Sequence, residues 1–226
     1  MKRRYARQDH QTRRRNSTAR SDEGFTLIEL TVVLAVIVTL ALVLTPSIIN
    51  FINDSRVARA RTDTQTIGVA ITQFYRDNGF YPQWSTAGAG GGQGTAANRV
   101  DLLVSPGNIP ASGGSATDQW IKGTTDLLVD QLVTNAPGYA MRTATSPAGW
   151  NGPYLSSTIG ADPWNNRYAV NIGLIDPTIG TQTSAGAIKN AVWAISAGPN
   201  GVIETPYTQP ITVAVLGGDD IGFRLQ

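Results

Sequence analysis

The balance of apolar and polar positions shifts as the chain proceeds. From Phe25 to Ile49 nearly every residue is apolar and only Glu29 is charged. As a helix this run is about 37 Å long, more than the roughly 30 Å of a bilayer's hydrocarbon core. From Asn50 onward the apolar positions thin out. Val57, Ala60, Ile67, Ala70, Ile71, Phe74 and Tyr75 recur at helical spacing, with Arg56, Arg59, Arg61, Asp63 and Arg76 between them. That periodicity predicts an amphipathic helix. Asn78-Gly79 followed by Pro82 supplies its stop signal. The two stretches read as one helix from Phe25 to Asn78, about 80 Å long. Gly68 and Pro46 are its interior weak points, and Pro46 removes one backbone hydrogen bond where a kink is expected.

The period is lost after Pro82. Residues 84–118 are rich in Gly, Ala, Ser, Thr and Asn and read as a long loop. The glycine run 88–94 is not a phosphate loop, because no Gly-Lys-Ser/Thr follows it. Thr125–Asn135 predicts a short helix with Leu127, Leu128, Gln131 and Leu132 on one face. Tyr168–Ile172, Ala191–Ile195 and Ile211–Leu216 are short β-branched or aromatic runs bounded by turn residues. Their close spacing favours an antiparallel sheet. The expected fold class is α+β, a long helix packed on a small sheet.

Charge changes the picture at the N-terminus. Residues 1–24 hold eight basic and three acidic residues, leaving ten basic and thirteen acidic in the rest. The overall pI near 9.0 therefore describes the leader, and a nucleic-acid partner is not expected of the folded part. By the positive-inside rule the N-terminus stays cytoplasmic, with the bulk of the chain across the membrane. The chain has no cysteine, and its single histidine, His10, lies in the leader. Thiolate chemistry, disulfides and histidine-ligated zinc are thereby excluded from the folded part. A membrane-anchored enzyme would have to rely on carboxylates such as Asp162, Asp176, Asp219 and Asp220.

The junction of leader and apolar run is specific. Gly24-Phe25-Thr26-Leu27-Ile28-Glu29-Leu30 resembles the cleavage signature of type IV prepilins and pseudopilins: glycine, phenylalanine, glutamate as the fifth residue after the cut, then an unbroken apolar helix. Pro46 falls where many pilin helices carry a proline. The resemblance implies that a membrane aspartyl peptidase cuts between Gly24 and Phe25 and methylates the new amine. Glu29 would then pair with that amine, in its own subunit or in a neighbour, which offsets the desolvation of both charges. On this reading residues 1–24 are a removed leader and 25–53 a transmembrane and filament-core helix. Residues 54–226 form the amphipathic half-helix and soluble domain.

The resemblance continues discontinuously. Tyr75–Pro82, Trp150-Asn151-Gly152-Pro153-Tyr154-Leu155 and Asp162–Tyr168 are similar to stretches of the major pseudopilins of type II secretion. So are Ser196–Gly201 and Gly217–Ile221. In that family the C-terminal loop holds calcium. The resemblance implies Asn200, Asp219 and Asp220 as ligands here, helped by carbonyls near Ser196 and Val202, with Glu204 the one further acid nearby. Asn200 stands where the family usually has aspartate. The aromatics Trp150, Tyr154, Trp164 and Tyr168 are expected in the core.

The resemblance therefore implies a structural protein rather than an enzyme: a subunit of a homo-oligomeric filament, held in the bacterial inner membrane with its soluble domain in the periplasm. Its partners would be the prepilin peptidase, an inner-membrane assembly platform and other (pseudo)pilins. A secretion pseudopilus fits the cysteine-free chain best. A pilin of a surface filament for adhesion, motility or DNA uptake is the alternative, as is a minor pseudopilin.

Overall fold

The structure, a computed structural model, describes residues 24–86, 98–175 and 190–226. The leader up to residue 23, the glycine run at 88–94 and Asp176 lie outside the described residues. The chain divides into two units after Ile48.

Helix α1 runs from Leu27 to Asn78, 52 residues, with Pro46 inside it and no break there. It begins where a threonine can cap it and ends where Gly79, at φ 78°, turns the chain out and donates to the Tyr75 carbonyl at 2.7 Å. In the first unit the helix is exposed all round: Leu27, Ile28 and Leu42 keep 81%, 70% and 71% of their surface. Hydroxyls in this stretch bond their own helix, as Thr31 to the Ile28 carbonyl and Thr45 to the Ala41 carbonyl.

In the second unit one face of α1 is buried, through Ala60, Thr64, Ile67, Gly68, Ala70, Ile71, Phe74 and Asn78. Five of these, Ala60, Ile67, Ala70, Ile71 and Phe74, are positions the helical period picks out; Val57 is only partly buried, Tyr75 stays exposed and stacks on Tyr81, and Thr64, Gly68 and Asn78 are buried polar or small positions that an apolar period passes over. Gly68 is needed for close approach, since a Cβ there would lie 2.3 Å from the Phe223 ring.

Among the described residues the main sheet is built from β1 (Leu102–Val104), β3 (Thr125–Leu127), β4 (Ala169–Val170), β5 (Trp193–Ser196) and β7 (Ile221–Arg224). Their order in the sheet is β3-β1-β4-β5-β7. Strands β2 (Ala111–Ser112) and β6 (Val202–Ile203) form a separate parallel pair. The main sheet is antiparallel across β1, β4, β5 and β7, and parallel only where β3 joins β1. It is thus mixed rather than wholly antiparallel.

Both faces of the sheet are covered. Leu103, Val170 and Ala194 join the cluster that holds Ile67, Ile71 and Phe74 of α1. Their chain neighbours Leu102, Val104, Ala169, Trp193 and Ile195 join a second cluster with Trp120, Ile203 and Tyr207. Strands buried on both sides read as apolar runs without alternation.

Three expectations are corrected. The span 84–118 is not all loop, because it contains β1, next to the sheet's β3 edge, and β2. Three apolar residues, Leu102-Leu103-Val104, are too short to show a period. Thr125–Leu127 is strand β3, not the start of a helix, and helical turns follow it, with a π turn over Asp130–Thr134. Finally, Ile211–Leu216 is not a strand. The Gln209 side chain accepts from the Val215 N–H and donates to the Val215 carbonyl, both at 2.9 Å, in place of a neighbouring strand. The strand is Ile221–Arg224, where Gly222 masks the pattern.

Candidate functional site

The first candidate site is the start of α1. Thr26 caps the helix and Glu29 answers three positions later. The Thr26 N–H and hydroxyl each donate to Glu29 Oε2 at 2.8 Å, and the Glu29 N–H donates to the Thr26 hydroxyl at 3.3 Å. This is a capping box. Thr26-x-x-Glu29 is its sequence signal, unused in the reading of the motif above. Glu29 thus has a local role as well as the implied one, and among the described residues its Oε1 accepts no hydrogen bond. Gly24 and Phe25 precede the helix and are exposed. Pro46 is exposed inside the helix.

A family model described as the prokaryotic N-terminal methylation motif matches residues 19–45, which include Gly24, Phe25 and Glu29. The chain carries a prepilin-type leader. This leader is the one found on type IV pilin-like proteins, a structural class that is typically non-enzymatic. No curated protein and no solved structure matches the chain. The prepilin-type motif is followed by a helix long and apolar enough to cross a membrane, with a mean hydropathy of 2.9 in its most apolar stretch and none of that stretch buried. Motif and apolar helix together indicate a membrane-anchored protein.

The soluble stretches quoted above hold the domain together. Tyr154 lies against Phe74 of α1, with ring centroids 5.4 Å apart, and Trp150 lies against Tyr154 at 5.7 Å. The Tyr154 hydroxyl accepts from the Asn151 N–H and from the Asn78 amide. Buried Asp162 is a hub. Its Oδ1 accepts from the N–H groups of Trp164 and Asn166, and its Oδ2 from the Ser196 hydroxyl at 2.6 Å. Tyr168, fully buried, donates to Asp63 of α1 at 2.8 Å, and burial pushes its hydroxyl pKa up. The expected core placement of these aromatics holds: Trp150 and Tyr168 are buried, while Tyr154 and Trp164 are partly buried against the same cluster. Asp162 is occupied structurally, which removes it from the list of free carboxylates. The long-range bonds of Asp162 and Asp63 were not legible in sequence, since Ser196 and Tyr168 lie 34 and 105 residues from them.

The second candidate site is the C-terminal loop. The structure brings Asn200, Glu204, Asp219 and Asp220 together. The Asn200 N–H donates to Asp219 Oδ2 at 3.1 Å, and its side-chain amide to Glu204 Oε2 at 3.3 Å. Asp220 Oδ2 accepts from the N–H groups of Glu204 and Thr205 and from the Thr205 hydroxyl. Burial raises the Asp220 pKa against those hydrogen bonds. The other oxygens, Asp219 Oδ1 and Asp220 Oδ1, are buried without a partner. Orphaned carboxylate oxygens are costly and fit a cation. Asn200 fits less well, because its side-chain oxygen caps the Val202 N–H at 2.7 Å. Among the described residues no three acidic or histidine side chains form a metal-holding group. An ion here would draw its remaining oxygens from backbone carbonyls and water.

Proposed function

We propose that this chain is a filament subunit, a pseudopilin of a type II secretion system whose fibre assembles in the periplasm and drives protein export. The observation that carries the reading is the prepilin-type motif at 19–45 leading directly into an apolar, uncovered helix. Such a surface needs a cover. The bilayer of the inner membrane supplies it before assembly, and the helices of other subunits supply it afterwards.

A peptidase removes the leader after Gly24 and leaves a cationic amine on Phe25. Glu29 Oε1 is open to that amine or to a neighbour's, while Oε2 keeps the Thr26 cap. A charge pair in a low-dielectric filament core selects one register between subunits, because any other leaves a carboxylate unpaired. The inner-membrane platform then lifts subunits from the bilayer one at a time, and the soluble domains face the periplasm.

The test is a strain lacking the chain, complemented with the wild type or with Glu29→Leu. Secreted proteins accumulate in the periplasm of the Glu29→Leu strain while surface filaments persist. Loss of surface filaments, adhesion or twitching with secretion intact overturns the secretion assignment in favour of a surface pilin.

Calcium at Asp219 and Asp220 belongs to the same proposal, supported by their two unpartnered oxygens. An ion bound only by the folded domain raises its melting temperature. Millimolar calcium raises it relative to a chelator, and Asp220→Asn removes the response. No calcium shift in the wild type sinks this part alone.

A further inference from the structure

The helix leaves its apolar stretch at Ile52 and within nine residues carries three arginines, Arg56, Arg59 and Arg61. Three cations on this flank run against the usual bias, which places arginine and lysine on the cytoplasmic side. None is held in the core. All three are exposed. Arg56 and Arg61 form no ion pair among the described residues. Arg59 makes an exposed contact with Asp63 at 3.5 Å and reaches the Ala161 carbonyl at 3.4 Å.

Their placement on α1 is not random. Ala60, fully buried, separates Arg59 from Arg61. At 100° per residue the two flank the buried face on either side. Arg56 lies four residues before Ala60, on the domain-facing side one turn nearer the apolar end. The soluble domain no longer covers the helix there, and Arg56 is exposed. The adjoining loop of the domain, reached by Arg59, runs through Ser156, Ser157, Thr158 and Gly160, all exposed and without an acid. The acids near this surface are Asp63, engaged by Tyr168 and Arg59, and Asp54. Asp54 sits two residues, or about 200°, from Arg56, but seven residues before Arg61 it shares that arginine's face about 10 Å nearer the apolar end, so one acid accompanies the three cations and the collar keeps a net positive charge.

We infer that Arg56, Arg59 and Arg61 form a collar that docks the 156–161 underside of the soluble domain on the phosphates of anionic lipids. The inference rests on the membrane-anchored reading above. The headgroup layer on each side of a bilayer is about 5–7 Å deep. Arg56 follows Ile52 by four residues, about 6 Å of helix, and Arg61 by about 13 Å. Side chains on a helix lean toward its N-terminus, here toward the membrane, and arginine's long stem extends that reach. Its planar fork suits phosphate oxygens. Each arginine at an anionic surface shifts the docked population about fivefold. The domain is thereby held down in the stored state, and assembly must release the collar.

The chain has no cysteine, so one nitroxide can be placed cleanly. Thr158→Cys reports the underside, and Thr143→Cys, next to Arg142, which reaches Asp77 at the other end of α1 at 4.0 Å, is the control. The full chain is put into nanodiscs of phosphatidylcholine alone or with one-third phosphatidylglycerol, and collisions with a water-soluble nickel chelate are measured. At position 158 the accessibility falls several-fold when phosphatidylglycerol is present and is unchanged at 143. Arg56→Gln with Arg61→Gln, two exposed changes that leave the fold intact, restores it, as does 1 M salt. Equal accessibility in both lipids overturns the inference, as does a fall that survives the double substitution. The membrane reading is scored separately: a chain that fails to elute with either disc loses its anchor as well as its collar.

Discussion

One helix, α1, lives in two surroundings. In its first half the apolar side chains are exposed all round. In its second half one face, with Ala60, Ile67, Ile71 and Phe74 fully buried, packs on the domain while residues such as Arg61, Val69 and Tyr75 on the other side stay exposed. The backbone geometry is the same, so what differs is the cover. The second half is covered by this chain's own sheet. Among the described residues nothing covers the first half, and the membrane-anchored reading gives it lipid as its cover. Stability of the domain and competence for assembly should therefore respond to different substitutions.

The strongest test of that separation is Phe74→Ala. Phe74 is fully buried and meets Tyr139, Tyr154 and Phe80 at centroid distances of 4.9, 5.4 and 6.0 Å. Its removal should cost about 3–5 kcal/mol, seen as a large drop in the domain's melting temperature. Next comes Gly68→Ala, which drives a methyl into the Phe223 ring. Overpacking of this kind costs about 1–3 kcal/mol, against about 1 kcal/mol gained from helix propensity. A double-mutant cycle with Phe223→Ala should show a coupling that relieves the strain. A raised melting temperature in Gly68→Ala, the helix-propensity gain left unopposed, would mean that helix and β7 are not in contact.

Tyr168→Phe removes the hydrogen bond to Asp63 across the helix–sheet interface and should cost about 1 kcal/mol in a denaturant midpoint. The smallest effect belongs to the other half of the helix. Leu42→Ala, at a position 71% exposed, should leave the domain's unfolding free energy in detergent within about 0.5 kcal/mol of the wild type. A marked loss there would dissolve the distinction between the halves.

Legibility in the sequence follows the same division. The apolar run from Phe25, the cap at Asn78-Gly79 and the Gly24–Leu30 signature are local features, and each was readable from neighbouring residues. The amphipathic face was readable too, because a helix repeats its contacts every turn. The sheet was harder. Leu102–Val104 is buried on both faces and too short to show a period. Thr125–Leu127 becomes a strand only because β1 lies parallel beside it. Ile211–Leu216 has strand-like composition, yet Gln209 takes the hydrogen bonds a neighbouring strand would make.

The candidate sites divide in the same way. Thr26-x-x-Glu29 was written in the chain as a capping box. The gathering of Asn200 and Glu204 with Asp219 and Asp220 depends on a turn and on β7 pairing with β5, and so does the burial that leaves two carboxylate oxygens unpartnered.

From the chain alone come the leader, the helix, its amphipathic face and the chemistry absent from the folded part. These depend on residue types within one or a few turns, where spacing stands in for geometry. Strand order, the role of Asp162 as a hub, the need for glycine at 68 and the arginines left beneath the domain come from packing. They depend on residues far apart in sequence, and burial and hydrogen-bond satisfaction are properties of the assembled neighbours rather than of any segment.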